Sequence, residues 1–164
     1  PHEKGLPLLL EAFSLARRAR PELTLTVIGG EKLPEVAACE GARGTGWITA
    51  EELQAIFEQS SLFVMPATYE PWGLSYLEAL ACRTPVMGLA RNAMPEISGN
   101  GEYGFMLPQP DVKALADGIL SALADPARLA RMGEAGQKHV LERYRWEHVA
   151  KVMSETILRE SPTA

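Results

Sequence analysis

The chain has 164 residues, 46% of them hydrophobic and 23% charged, which is the size and composition of one ordinary globular domain. Its formal net charge of -5 argues against a protein that binds nucleic acid through a basic face. No apolar run approaches the roughly 20 residues that a membrane-spanning helix needs, and no signal peptide is visible.

The first two thirds of the chain alternate between helical and strand-forming patterns. Apolar residues recur at helical spacing from Gly5 onwards, and Pro21 ends that pattern. Thr49 and Glu52 form a capping box, which predicts the start of another helix. The continuous apolar run at 62–65 predicts a strand buried on both faces of a parallel sheet. The predicted elements are helices at 5–19, 50–59 and 73–82 and strands at 23–28, 62–65, 85–89 and 104–107.

The last third of the chain is predicted to be helical. Asp111 and Asp125 supply helix-start signals, and residues 160–164 are predicted to fray. The predicted helices here lie at 112–124, 127–143 and 146–158. Strands that alternate with helices predict an α/β, Rossmann-like fold, in which helices flank a parallel sheet joined by right-handed crossovers. Ligands bind such sheets at the carboxyl ends of the strands, which are followed here by loops at 29–30, 46–49, 66–72 and 90–95.

The loop after the predicted strand at 62–65 carries two carboxylates around a helix start. A helix that begins near Gly73 has main-chain N–H groups without internal partners, which suit a diphosphate, and glycine allows close approach. Glu78 lies roughly 7.5 Å farther along the helix, where its carboxylate can accept the ribose hydroxyls. Glu70 falls on the sugar side of the phosphates. Either glutamate alone is better interpreted as solvated surface, but their combination in one loop favours a nucleotide site.

This string resembles the hallmark of the retaining glycosyltransferases (glycosyl transferases group 1) that include sucrose synthases, bacterial glycogen synthases and phosphatidylinositol mannosyltransferases. The hallmark is usually Glu-x-Phe-Gly-Leu-x-x-x-Glu-Ala. The chain has Glu70-Pro71-Trp72-Gly73-Leu74-Ser75-Tyr76-Leu77-Glu78-Ala79. The resemblance covers nearly the whole chain. The other matching segments are Lys4-Gly5, Val27-Ile28-Gly29, Gly46-Trp47-Ile48, Ala81-Cys82-Arg83-Thr84-Pro85-Val86, Pro95-Glu96-Ile97 and Arg145-Trp146-Glu147.

The resemblance implies a two-domain GT-B architecture in which residues 1–164 are the donor-binding C-terminal domain and the N-terminal acceptor domain is absent from this chain. It implies catalytic roles for two residues: Lys4 would stabilise the leaving diphosphate, and Glu70 would contact the transferred sugar. Lys4 also fits an exposed terminal lysine, and Ile48 fits core packing as well as base contact. The donor-binding residues implied are Lys4, Ile48, Glu70, Trp72, Gly73, Leu74, Ser75 and Glu78.

The reaction that the resemblance implies transfers a sugar from a nucleoside-diphosphate sugar with retention of configuration, and it needs no metal or other cofactor. We expect the chain alone to bind nucleotide weakly and to transfer nothing. We expect it in the cytoplasm, at most peripheral to the inner face of a membrane, with membrane contact only through the missing half. Cys39 and Cys82 have no metal-ligand spacing and are interpreted as reduced, part-buried thiols.

Three departures from the family pattern leave an alternative open. Arg83 replaces a glycine, which predicts a turn of another shape, and the glycine-rich residues 41–46 predict a poor strand. The family's phosphate-binding arginine falls upstream of Pro1. A GT-B-like domain that has lost donor binding and acts as a binding or regulatory module is therefore the alternative. The glutamate spacing disfavours an epimerase, and the lack of Gly-x-Gly-x-x-Gly disfavours an NAD-dependent dehydrogenase.

Overall fold

Parallel strands and helices alternate along the chain, as the sequence pattern predicts. The structure is a computed structural model that describes residues 3–29 and 33–160. The elements formed by these residues are α1 (Leu6–Ala19), β1 (Leu25–Val27), α2 (Pro34–Ala37), β2 (Ala42–Gly44), α3 (Ala50–Gln59), β3 (Phe63–Met65), α4 (Leu74–Ala81), β4 (Val86–Leu89), α5 (Met94–Ile97), a 3₁₀ turn (Gly99–Gly101), β5 (Gly104–Leu107), α6 (Val112–Leu123), α7 (Pro126–Arg143) and α8 (Trp146–Glu160).

The strands form two parallel sheets. β1 pairs with β2, and β4 lies between β3 and β5. Parallel strands need crossover connections, which the intervening helices supply. The predicted α/β class with helices around parallel strands is therefore confirmed, although the strands are divided between two ladders.

Two helical layers enclose the three-stranded sheet. Side chains alternate between the faces of β4, so that Met87 and Leu89 join α1 and α6 in one apolar cluster while Val86 joins α3, α4 and α7 in another. All four residues of β4 are buried. The core thus lies on both faces of this sheet. The loops that follow its parallel strands lie at one edge.

β1 and β3, the two predicted strands next to the gap between the sheets, differ in part from the sequence prediction. β1 covers only Leu25–Val27 of the predicted 23–28. In β3, Met65 is buried but Phe63 and Val64 are half-buried. Phe63 packs against one apolar cluster and Val64 against the other, so both faces of the strand are covered as predicted, while its edge away from β4 borders a cavity.

The helix-start signals are confirmed. Thr49 Oγ1 accepts a hydrogen bond from the Glu52 N–H at 3.2 Å, and the Thr49 N–H donates to Glu52 Oε2 at 2.8 Å. Asp111 and Asp125 cap α6 and α7 by accepting main-chain N–H groups. The helices α2 and α5 are not in the predicted set, because four residues are too few to display a periodic pattern. Of the residues predicted to fray, 161–164 lie outside the described residues.

The turn at Arg83 keeps the backbone conformation that glycine favours. Arg83 has a φ of 62°, and its Nε donates to Gln137 Oε1 of α7 at 2.8 Å. The arginine predicts a turn of another shape. That change is not required, because the side chain is accommodated at a positive φ. The glycine-rich segment does form a strand, but β2 has only three residues, and two of them are exposed.

Candidate functional site

The segment before α1 and the loop after β3 bring together Lys4, Glu70 and Gly73. The Lys4 ammonium forms an ion pair with Glu70 Oε2, and Glu70 Oε1 accepts the Gly73 N–H at 2.9 Å. Lys4 and Glu70 are 66 positions apart in sequence, so the fold creates this contact. The arrangement combines a cation, a carboxylate and the N-terminal end of α4 within one network.

Gly5 allows the segment that carries Lys4 to lie against the loop after β3. Gly5 has a φ of 78°, and a Cβ at this position would lie 2.2 Å from the Pro66 carbonyl oxygen. The Thr68 N–H donates to the Glu3 carbonyl at 3.0 Å on the same side. Only glycine fits both the backbone angle and the close approach, and this explains why it follows Lys4.

The environment of Glu70 favours its ionised form. Burial would raise the pKa of this carboxyl, but hydrogen bonds from Lys4 and the Gly73 N–H, the Lys4 charge and the Trp72 N–H together lower it. A carboxylate with a lowered pKa contributes stability above its ordinary pKa, and that contribution is lost as the pH falls through the lowered value. Glu70 is therefore an anion at neutral pH.

The start of α4 is formed by glycine. Gly73 caps the helix with a φ of 68°, and α4 has eight residues. Ser75 and Glu78 are three residues apart and so lie on one face of the helix, where both line a cavity of about 990 Å³ together with Lys4. Glu78 is exposed to solvent. The N-terminal end of a helix and a carboxylate farther along it thus border the same space.

Tyr76 holds α4 against the sheet, a role that the sequence pattern did not identify. Its buried hydroxyl donates to the Met65 carbonyl at the end of β3, and burial followed by the charge of Glu70 raises its pKa. A Cβ on Gly73 would lie 2.6 Å from the Tyr76 ring, and one on Gly88 would lie 2.3 Å from its hydroxyl. The two glycines are the sequence signal, because they leave room for a large side chain between strand and helix.

Replacing Tyr76 with phenylalanine should lower the free energy of unfolding by about 1 kcal/mol, the usual net value of one hydrogen bond. The loss should stay near that value because the Met65 carbonyl also accepts the Ala67 N–H at 2.8 Å. Urea unfolding measures the change. Tyr69→Phe is the matched control, since Tyr69 is 63% exposed and its variant should unfold at the wild-type midpoint. Equal midpoints for both variants would contradict the anchoring role.

The remaining residues of the predicted site lie around this network or farther out. Trp72 and Leu74 are exposed at the surface, 67% and 66% respectively, and Ile48 is half-buried beside the exposed Trp47. Ile48, Trp72 and Leu74 are not among the residues that line the cavity with Lys4. The structure therefore brings Lys4, Glu70 and Gly73 together and sets Ser75 and Glu78 on the cavity wall.

The described cysteines and histidines form no second site. Cys39 and Cys82 are free and half-buried, as predicted. His139 lies between the rings of Tyr103 and Tyr144 at 4.7 and 5.7 Å, which indicates a packing role. Within residues 3–29 and 33–160, no three His, Cys, Asp or Glu side chains are placed to hold a metal ion. None of the helices in this described part is long and apolar enough to cross a membrane.

Comparison with known families and proteins gives consistent matches. The model of the family described as glycosyl transferases group 1 matches residues 1–139. A GDP-mannose-dependent alpha-(1-6)-phosphatidylinositol monomannoside mannosyltransferase of Mycolicibacterium smegmatis is 34% identical over 158 residues, covering 87% of this chain and 41% of that protein. Glycogen synthase of Mycobacterium tuberculosis is 29% identical and covers 96% of this chain and 40% of its own length. The chain thus spans about two fifths of the relatives it matches.

Solved structures share the fold. Sucrose-phosphate synthase from Thermosynechococcus elongatus superposes with a TM-score of 0.80 and 28% identity, covering 97% of this chain and 43% of that one. The Anabaena protein HepE, solved in complex with UDP, has a TM-score of 0.84 and 18% identity over 97% of this chain and 46% of its own. At that identity the likeness to HepE shows the fold alone. These neighbours are GT-B glycosyltransferases, so the predicted Rossmann-like fold is confirmed, while the donor-binding role of residues 1–164 stays a prediction.

Proposed function

The chain belongs to the glycosyl transferases group 1, and from that premise we propose that it is the donor-binding domain of a sugar-nucleotide-dependent glycosyltransferase. The enzyme would move a sugar from a nucleoside diphosphate to an acceptor with retention of configuration. A separate N-terminal domain would bind the acceptor. The 164 residues alone would bind donor and transfer nothing, and robust transfer by them would contradict this division.

The contact among Lys4, Glu70 and Gly73 is the observation that carries the proposal. A diphosphate at the start of α4 would accept main-chain N–H groups and pair with the Lys4 ammonium. Lys4 would then stabilise the charge that develops on the leaving diphosphate. Because Ser75 and Glu78 line the adjoining cavity, a nucleoside continuing from the diphosphate would reach Glu78 with its ribose.

The hydrogen bond and ion pair that Glu70 makes also affect donor binding. Its carboxylate already occupies two groups that a diphosphate would use, the Gly73 N–H and the Lys4 ammonium. An incoming diphosphate would displace the carboxylate from both, because two anions cannot share them without strong repulsion. The released carboxylate would be free to turn towards the transferred sugar.

The nucleotide can be identified by thermal shift with UDP, GDP, ADP and the matching sugar nucleotides. A ligand that binds only the folded chain raises the melting temperature, and we expect one base to give the largest rise. GDP is the first candidate, since the mannosyltransferase relative is named for GDP-mannose. No shift with any of the six ligands at millimolar concentration would contradict donor binding.

Replacing Glu78 with alanine should weaken binding of that nucleoside diphosphate by about ten- to a hundredfold, because two charge-assisted hydrogen bonds to the ribose would be lost. Calorimetric titration measures the dissociation constant. The control is Glu134→Ala, since Glu134 is exposed on α7 and does not line the cavity. Equal affinities for the two variants would exclude the ribose role.

Replacing Glu70 with alanine should have the opposite effect on the nucleoside diphosphate and tighten its binding by about three- to tenfold. The variant frees Lys4 and the Gly73 N–H without the cost of displacing a charge-assisted hydrogen bond. The same variant should lose the preference for the sugar nucleotide over the nucleoside diphosphate. Glu58→Ala, on the exposed face of α3, is the control. Weaker binding of the nucleoside diphosphate by the Glu70 variant would contradict the displacement.

A further inference from the structure

A hydrogen bond joins the end of α7 to α5, the short helix that follows β4. The Tyr144 hydroxyl donates to Glu96 Oε1 at 3.1 Å. Glu96 belongs to α5, and Tyr144 is the residue that ends α7. The two residues are 48 positions apart in sequence, so the fold creates this contact. It connects the segment at 95–97 with the one at 145–147, and neither of these has a part in the donor site described above.

Tyr144 is held firmly enough to fix its partner. Its main-chain N–H donates to the Val140 carbonyl of α7 at 2.9 Å. Its ring lies 5.7 Å from the His139 ring, which in turn lies 4.7 Å from the Tyr103 ring. Burial, followed by the charge of Glu96, raises the pKa of Tyr144. The hydroxyl therefore keeps its proton at neutral pH and can donate it to the carboxylate.

The other side of α5 supports the start of α4. Ile97 is buried, and a Cβ on Gly73 would lie 3.3 Å from Ile97 Cδ1. Met94 and Ile97 belong to the same apolar cluster as Tyr76. Because glycine has the widest choice of backbone conformations, its neighbours must hold Gly73 at a φ of 68°. A displacement of α5 would thus loosen the residue whose N–H points towards the proposed phosphate position.

We propose that Glu96 and Tyr144 are positioning residues for the donor diphosphate, an inference that rests on the proposed function. Their hydrogen bond holds α5 against the end of α7, so that Ile97 packs on Gly73 and fixes the direction of its N–H. Direct contact with the donor is not their role. Neither residue lines the cavity with Ser75 and Glu78, and a carboxylate at position 96 would repel a phosphate.

Calorimetric titration tests this role with two ligands. One is the nucleoside diphosphate that gives the largest thermal shift, and the other is its monophosphate, which lacks the distal phosphate. Tyr144→Phe and Glu96→Ala should each weaken diphosphate binding by about three- to fivefold, at most the net value of one hydrogen bond, and leave monophosphate binding unchanged. The double variant should match either single variant, because both remove the same bond. Glu96→Gln keeps an accepting oxygen and should bind the diphosphate as the wild type does.

Glu142→Ala is the control for the lost charge, since Glu142 is exposed on α7 two residues before Tyr144. It should bind both ligands like the wild type. Wild-type diphosphate affinity in Tyr144→Phe and Glu96→Ala would overturn the inference alone. So would an equal loss for the two ligands, or losses that add in the double variant. A wild-type protein that binds neither ligand would instead reject the donor role, and this inference with it.

Discussion

Replacing Gly133 with alanine will destabilise the protein by about 2–4 kcal/mol, at the upper end of what overpacking costs. Gly133 is buried in α7, where it faces the turn after α4, and a Cβ there would lie 2.0 Å from the Arg83 carbonyl oxygen. The obstacle is main chain, which cannot rotate away as a side chain can. To make room, α7 would have to move from α4, and their shared apolar contacts would loosen.

Gly118→Ala is the matched control for this variant, because Gly118 is also a helical glycine. A Cβ at Gly118 of α6 would meet only the Met87 side chain, at 3.6 Å, which is ordinary contact. Alanine is favoured over glycine inside a helix, so this variant should gain about 0.5–1 kcal/mol. Urea unfolding of both variants measures the difference in sign. A Gly133 variant as stable as the wild type would show that the helix and turn are not held this closely.

Replacing Gly5 with alanine will cost about 3–5 kcal/mol and will weaken nucleotide binding as well. Two effects add: the φ of 78° disfavours any side chain, and the new Cβ would lie 2.2 Å from the Pro66 carbonyl oxygen. The segment before α1 would have to move from the loop after β3. Lys4 would move with it and lose its place beside Glu70.

The control for the Gly5 variant isolates the backbone angle. Gly101 has a φ of 101°, but a Cβ there would have no neighbour within 4 Å. Gly101→Ala should therefore cost only about 1–2 kcal/mol and leave nucleotide affinity unchanged. Urea unfolding and calorimetric titration give the two readings. If the two variants lose equal stability, the contact with Pro66 contributes nothing to the loss. If the Gly5 variant loses stability but keeps its nucleotide affinity, this contact does not hold Lys4 in place.

The features that the sequence predicted correctly are those that depend on near neighbours. The capping box at Thr49 and the caps at Asp111 and Asp125 join residues three apart, so the sequence contains both partners. The alternation of helices and strands predicted the class of fold for the same reason. The string from Glu70 to Glu78 indicated the family, which the comparisons confirm. The roles of its residues in donor binding remain predictions.

The features that the sequence did not predict depend on where distant segments lie. A lowered pKa at Glu70 requires the Lys4 ammonium beside it, and no local pattern joins positions 66 apart. The half-buried state of β3 could not be predicted from its apolar run, because burial depends on the neighbour of each edge. The glycine-like φ of Arg83 likewise depends on the contact between the turn and α7.

By itself, the sequence determined an α/β domain, the limits of its longer helices and a carboxylate pair around a glycine helix start. Periodicity, caps and turn residues act over a few positions, and these properties need no more. Only the tertiary structure decided that Lys4 meets Glu70, that Tyr76 fits between Gly73 and Gly88, and that β1 and β3 border one cavity. These contacts arise from packing between elements, where an approach of 2 or 3 Å separates a contact from a clash.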